Sequence, residues 1–402
     1  MGIFKIKFGK FIFWVVAVVF VINLVIIATG KTYLYKGIQE TYLKGKTGPG
    51  IYDSLVFPVR IAEHSPTPFQ WTKDTNVIEL STEQRRVLNE TNSTSFLIIQ
   101  HGKIVSETYF NEHTKNVKSN TFSMAKSFIG LLIGIAVDEG KIRSLDDPIS
   151  DYLPFHLEKE EGVTIRDLLG MSSGLVWSES GSNPFSDNAE AYYSSDLYSM
   201  MTKKHFDWKP GEKFEYVSGN SQLLGIILKE VTGIFPTEYF QEKIWKKIES
   251  EHDLLWSLDK EGGIEKTFCC GYATTRDYAR MGQLILNKGV WKDNRIISES
   301  ILNEIISPYN ESQPFYGLHF WIFNHPKYPA VYYRGILGQY IVVIPSLDAV
   351  LVRTGHDRKG VYLIPENKKS DPEFVFNNSY KAHHPQDLFD YYEILNEILI
   401  KQ

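Results

Sequence analysis

From Phe11 to Thr29 the chain runs nineteen residues without a charge, FIFWVVAVVFVINLVIIAT, in which Asn23 is the only strongly polar side chain. As a helix rising about 1.5 Å per residue, this run spans roughly 30 Å, the thickness of a bilayer's hydrocarbon core. A Lys-flanked apolar run at the extreme N-terminus has little to pack on, which disfavours a buried core helix. The run predicts four segments: a cytoplasmic tail at 1–10, a transmembrane anchor at 11–29, a linker at 30–70 and a folded body at 71–402. Lys5, Lys7 and Lys10 precede the run, which favours a cytoplasmic N-terminus and an exported body. The alternative is secretion after cleavage near residue 30, because Ala28-Thr29-Gly30 offers a small-x-small site. The apolar region is long for such a signal, which needs only about 7–15 residues.

Charge is uneven. Residues 1–50 hold seven Lys and one Glu of the chain's 43 basic and 48 acidic groups, which leaves the remainder at −11. A body that acidic offers no phosphate-tracking stripe, and with no nucleic-acid motif present a nucleic-acid partner is not expected. With 43% apolar and 23% charged residues, collagen-like, coiled-coil and largely disordered chains are excluded. The two cysteines, Cys269 and Cys270, are adjacent. They cannot build a disulfide framework, and they read as two small core residues.

Ahead of the body, residues 31–70 carry Gly and Pro breaks and little periodicity, as a spacer would. SFLIIQ (95–100) and residues 104–110 flank His101-Gly102-Lys103, a hairpin signal. A long apolar helix pattern runs from Ser123 to about Glu139 and stops at Gly140. Helical segments separated by polar loops fill 145–310. Strand-like runs return at 331–334, 340–344 and 349–353, and an amphipathic helix carrying Leu388, Tyr392, Leu395 and Leu399 ends the chain. Strands at both ends and helices between them predict one sheet built from both ends of the chain, with a helical insertion.

No HExxH, CxxC or clustered His/Asp pattern offers a metal-ligand set, so no cofactor is expected. His383-His384 read as a solvated loop. Gly170-Met171-Ser172-Ser173-Gly174 fits the G-x-S-x-G elbow, but that motif works only on a strand-to-helix turn. Here TIRDLL reads as a helix start before it and a polar loop, SESGSNPFSD, follows. Ser123-Met124-Ala125-Lys126 has the better context. At i and i+3 on a helix the two side chains share a face, and the serine sits at the helix N-terminus, where free N–H groups and the dipole stabilise an oxyanion. Burial in the apolar run and the same dipole both depress the Lys126 pKa. A neutral lysine can then take the Ser123 proton. Ser257-Leu258-Asp259-Lys260 has the same spacing but lies in a polar, Gly-rich turn. Tyr216, just ahead of a helix pattern, is a candidate second acid/base group; read alone, one Tyr among 23 is better taken as a packed aromatic.

FSMAKSF with GIAVDEGKIRSLDDPISDYLP, then TIRDLLGMSSGL, KPGEKFEYVSGNSQLLG, GYATTRDYARMGQLIL and GQYIVVIP occur in that order. Over roughly residues 95–354 they resemble the serine β-lactamase and penicillin-recognising hydrolases of the class C and esterase type, and most closely the 6-aminohexanoate-oligomer-hydrolase-like branch. The resemblance implies an α/β (α+β) fold of the β-lactamase/transpeptidase type: an antiparallel sheet flanked by helices, an all-helical lobe, and the site between them. It implies Ser123 as the acylated nucleophile, Lys126 as its base partner, and Tyr216 as the group exchanging protons with leaving group and water. The third motif falls at Tyr333-Arg334-Gly335, which makes the N–H of Ile336 the second oxyanion donor beside that of Ser123. Arg353-Thr354-Gly355 imitates the usual Lys-Thr-Gly but comes one strand too late.

Two departures from the family pattern bear on substrate. Ser218 stands where the β-lactamases of this class have Asn, and the third motif lacks its Lys or His, with Arg334 the available substitute. Trp177, Ser218, Tyr333 and Arg334 are the substrate-binding candidates. The expectation is an exported, membrane-anchored serine hydrolase of small acyclic esters or amides. A DD-peptidase or true β-lactamase is the alternative, and a catalytically silent sensor or binding module of this fold is the alternative from another class.

Overall fold

The computed structural model describes residues 2–400. Its main sheet has six strands: β1 (Ser93–Gln100), β2 (Lys103–Tyr109), β3 (Trp321–Phe323), β4 (Ala330–Gly335), β5 (Gln339–Ile344) and β6 (Ala349–Gly355), in the order β2-β1-β6-β5-β4-β3. Every pairing is antiparallel. Both ends of the chain therefore feed one sheet, as the strand pattern predicts.

The strands read as continuous apolar runs because both faces of the sheet are covered. Successive side chains point to opposite faces, so Leu97, Ile99, Ile341, Val343, Val350 and Val352 join one core while Phe96, Ile98, Tyr340, Val342, Ile344 and Leu351 join the other. The second core is closed by the C-terminal helix through Leu388, Tyr391 and Leu395.

Six helices matter below: α1 (Gly2–Ala28), α2 (Tyr33–Glu40), α3 (Met124–Asp138), α4 (Ser218–Thr232), α5 (Thr275–Leu286) and α6 (Gln386–Leu399). Helix α3 lies in the first core with α5 and α4, and its residues from Met124 to Ala136 are all buried. A helix apolar on every side is one that runs through a core. Helix α1 is long and apolar enough to cross a membrane, and no part of its Lys10–Ala28 stretch is buried against the body.

Three expectations need correction. Residues 30–70 are not a spacer: they supply α2 and a strand, Val59–Ala62, that pairs with Leu254–Ser257. That pair belongs to a second, four-stranded sheet with Gly271–Ala273 and Ser119–Asn120, whose strands of two to four residues carry too little pattern to be read in advance. Cys269 and Cys270 are bonded to each other rather than free, with Cys270 in the left-handed region at φ 72°. His384 is not solvated. It is buried, with Nδ1 2.7 Å from the Tyr332 hydroxyl, and burial pushes its pKa down to about 3.

Candidate active site

The turn ahead of α3 is held at three points. Ser119–Asn120 pairs with Tyr272–Ala273, the Thr121 N–H donates to the Gly271 carbonyl at 2.6 Å, and the Phe122 N–H donates to Asn120 Oδ1 at 2.8 Å. These bonds hold Phe122 in the left-handed region at φ 43°, a conformation that costs a bulky residue free energy and persists only where the surroundings enforce it. Ser123 follows as the N-cap of α3, with no side-chain capping bond. Its hydroxyl is left free for the cleft.

One turn on, Lys126 Nζ lies 3.1 Å from Ser123 Oγ and donates to the Phe268 carbonyl at 2.8 Å. The ammonium is buried, and that burial lowers its pKa to about 8, partly opposed by the negative charge of Glu179. Lys126 Nζ also lies 5.2 Å from the centre of the Tyr216 ring. Tyr216 lines the same cleft as Ser123 and stacks on Trp321 at 5.7 Å. Burial raises its phenol pKa well above the ordinary value, an effect that the Ser123 hydroxyl and the nearby Arg334 oppose.

The end of β4 forms the opposite wall. Gly335 presses against the turn ahead of Ser123: a Cβ there would meet the Thr121 carbonyl oxygen at 2.4 Å and Phe122 Cβ at 3.2 Å. Only glycine permits that approach, and it brings the backbone of Ile336 to the mouth of the cleft. Neither the Ser123 nor the Ile336 N–H donates to an acceptor among the described residues. The turn after Ile336 is fixed from behind by Arg353, whose guanidinium donates to the Leu337 and Gly338 carbonyls at 3.1 and 2.7 Å. The Lys-Thr-Gly look-alike thus has a structural task, away from the cleft.

Ser123, Tyr216, Ser218, Glu179, Arg334 and Ile336 line one cleft of about 450 Å³, within the roughly 300–1,000 Å³ of small-molecule sites. Two of the substrate-binding candidates are not among them. Tyr333 points to the other face of β4, where it packs on Phe320 and Phe128 and donates to the Met281 carbonyl; strand alternation sends Arg334 the opposite way. Trp177 is buried against α4 at Gly219, where its ring leaves no room for a Cβ, with Lys204 over its face. Ser218 faces Glu179, and the Arg334 guanidinium lies 3.4 Å over the Trp321 ring with Nη1 donating to the His383 carbonyl.

Glu179 escaped the sequence reading. It sits in the polar SESG stretch, which carries no motif, and only the fold brings it to Ser218 and Lys126. Burial raises the pKa of its carboxyl, against the pull of Lys126 and two bonds from Ser218. The other serine signals are occupied elsewhere: Ser172 donates to the Lys213 carbonyl and Ser173 to Asn220 Oδ1. Among the described residues, no cluster of three or more His, Cys, Asp or Glu side chains is placed to hold a metal ion.

This geometry sets a serine hydroxyl against a lysine of lowered pKa, with a tyrosine and two free N–H groups in the same cleft. A 6-aminohexanoate-dimer hydrolase of Paenarthrobacter ureafaciens is 26% identical over 301 residues, 67% of this chain and 74% of that protein. A protein of Bacillus anthracis assigned as a 6-aminohexanoate-dimer hydrolase superposes with a TM-score of 0.69 at 22% identity, over 85% of this chain and 91% of its own. A family VIII carboxylesterase superposes with a TM-score of 0.56 at 16% identity, over 77% of this chain and 99% of its own. The β-lactamase family model matches residues 85–361, a span that holds Ser123, Lys126, Tyr216 and the third motif, and the chain belongs to the β-lactamase family of serine hydrolases.

Proposed function

We propose that the protein hydrolyses acyclic esters or amides through an acyl-enzyme on Ser123. The observation that carries this reading is the 3.1 Å approach of Lys126 Nζ to Ser123 Oγ at the start of α3. Neutral Lys126 takes the hydroxyl proton as Oγ bonds to the substrate carbonyl carbon. The Ser123 and Ile336 N–H groups receive the oxyanion. Collapse of the tetrahedral adduct breaks the bond to the alcohol or amine, which leaves with a proton passed from Lys126 through Tyr216. Water then attacks the acyl carbon, gives its proton to the same pair, and releases the acid with Ser123 restored. The relatives named for a 6-aminohexanoate dimer and for carboxylesters support substrates other than β-lactams.

Residues 11–29 anchor the chain, with the hydrolase domain outside the cytoplasm. Membrane fractionation and N-terminal sequencing test this: a soluble mature protein beginning near Lys31 makes the segment a signal peptide, and cytoplasmic recovery overturns export. The catalytic reading is tested by turnover of nitrophenyl esters and amides, which Ser123→Ala is expected to abolish. Undiminished turnover in the folded variant overturns it.

A further inference from the structure

The cleft has a wall that the catalytic residues do not supply. Tyr33, Leu34, Gly37, Ile38, Thr41 and Tyr42 all line it. Their spacing places them on one stripe of α2 and its C-terminal turn, so the helix lies along the cleft rather than merely near it. Several contacts fix α2 there. The Tyr33 hydroxyl donates to the Pro184 carbonyl at 3.0 Å, and Pro184 lines the same cleft. Gly37 lies against the Tyr193 ring.

Helix α2 is also tied to α1. Four residues separate Ala28 from Tyr33, the Lys31 N–H donates to the Ile26 carbonyl at 2.9 Å, and the Tyr35 hydroxyl donates to Asn23 Oδ1 at 2.7 Å. Even fully extended, such a connection reaches less than roughly 20 Å, so a membrane crossed by α1 has its surface beside this wall. The mouth carries the side chains expected at such a surface: Ile38, Tyr42 and Ile336 line the cleft and are exposed, and Leu43 and Phe185, each next in sequence to a lining residue, are exposed as well, Leu43 to 76%. Tyr is a residue of membrane interfaces. The lysines of the segment are engaged with Glu190, the Phe57 ring, Glu40 and Asp53, which leaves the surface contact to the apolar side chains.

We infer that the cleft draws an amphiphilic substrate from the adjoining leaflet, an ester or amide whose long aliphatic acyl chain lies along the α2 stripe with its carbonyl at Ser123. This rests on Ser123 as nucleophile. The chemistry is that of the acyl-enzyme above: the fatty acyl group moves to Oγ, the alcohol or amine leaves with the proton, and water releases the fatty acid.

The experiment uses the full chain in phosphatidylcholine vesicles, with nitrophenyl acetate and nitrophenyl decanoate as probes. The expected kcat/KM for decanoate exceeds that for acetate at least tenfold. Ile38→Asp with Tyr42→Asp lowers that ratio at least tenfold, with the melting curve reporting the fold. A ratio at or below one in the wild-type chain overturns the inference without help from any variant. Decanoate presented as monomer in detergent-free buffer is the second arm: faster turnover there than from vesicles overturns extraction from the leaflet. Acetate hydrolysis surviving Ser123→Ala would sink the nucleophile assignment instead, so the two failures are told apart.

Discussion

Glu179 accepts both the backbone N–H and the hydroxyl of Ser218, at 2.8 and 2.6 Å. Ser218 is the first residue of α4, two positions after Tyr216. One carboxylate therefore fixes the start of that helix and, through its charge, acts on Lys126. It joins the loop carrying Tyr216 to the turn carrying Ser123 and Lys126.

That link makes the pH profile informative. Lys126 must be neutral to take a proton, and its pKa is lowered to about 8. Ester turnover is expected to rise with pH about tenfold per unit below pH 8 and to level off above it. Glu179 raises the lysine pKa, so Glu179→Gln moves the midpoint to lower pH. The raised phenol pKa of Tyr216 keeps it protonated, so no fall is expected as pH passes about 10, the ordinary tyrosine value. A midpoint that stays fixed in Glu179→Gln would mean that the carboxylate has no electrostatic hold on the base.

Labelling with a fluorophosphonate probe separates the serines. Ser123→Ala is expected to abolish it. Ser172→Ala and Ser257→Ala leave it, since both side chains are buried away from the cleft. Persistent labelling of folded Ser123→Ala would move the nucleophile elsewhere.

Positioned acid/base groups contribute about 10²–10⁴-fold. Lys126→Arg keeps the charge but cannot give it up, and Tyr216→Phe keeps the ring on Trp321. Each is expected to lower kcat within that range, read in steady state on a nitrophenyl ester with the melting curve as fold check. Near-wild-type turnover in either would reduce that residue to packing.

Gly335 tests the opposite wall. Gly335→Ala drives a methyl group into the Thr121 carbonyl and displaces the Ile336 N–H from the nucleophile turn. A loss in kcat of about 10²–10³ is expected, the usual effect of removing one oxyanion donor. An unchanged kcat would show that Ile336 donates nothing to the transition state.

What the residues disclose in advance follows how local the cause is. The Ser123–Lys126 pairing is set by one helical turn, and the strand runs of β1, β5 and β6 by burial on both faces, so both are legible. Helix α2 is not: YLYKGIQE fits a surface helix as well as a spacer, and its place on the cleft depends on Pro184 and Tyr193, some 150 residues away. Glu179 is one acid in a polar loop until the fold delivers Ser218 to it. His384 reads as solvated because its partner, Tyr332, lies on a strand 52 positions earlier. The place of Tyr333 in a motif points to the cleft, while the alternation of β4 sends it into the core.

The remaining prediction concerns the substrate class. A β-lactam presents a carboxylate that must be held by a cation beside the third motif. Here that motif offers no Lys or His: Tyr333 is turned into the core, and Ser218, at the position of the family's Asn, is engaged by Glu179. Arg334 is the one cation the motif brings to the cleft. Its guanidinium lies flat on Trp321 and one of its amino groups is spent on the His383 carbonyl, so its reach toward a ligand is restrained. Losing a charged hydrogen bond costs about 1.5–3 kcal/mol, roughly 10- to 150-fold in binding. Hydrolysis of a β-lactam also requires water to enter past a rigid acyl group, whereas an acyclic acyl chain leaves the carbonyl accessible. The expected order of kcat/KM is therefore a nitrophenyl ester above both a chromogenic cephalosporin and a D-Ala-D-Ala peptide. Arg334→Ala separates the reasons for that order: if the guanidinium binds carboxylates, the variant loses cephalosporin and peptide turnover more steeply than ester turnover. A cephalosporin or peptide value above the ester value in the wild-type chain would show that the altered third motif does not set the substrate.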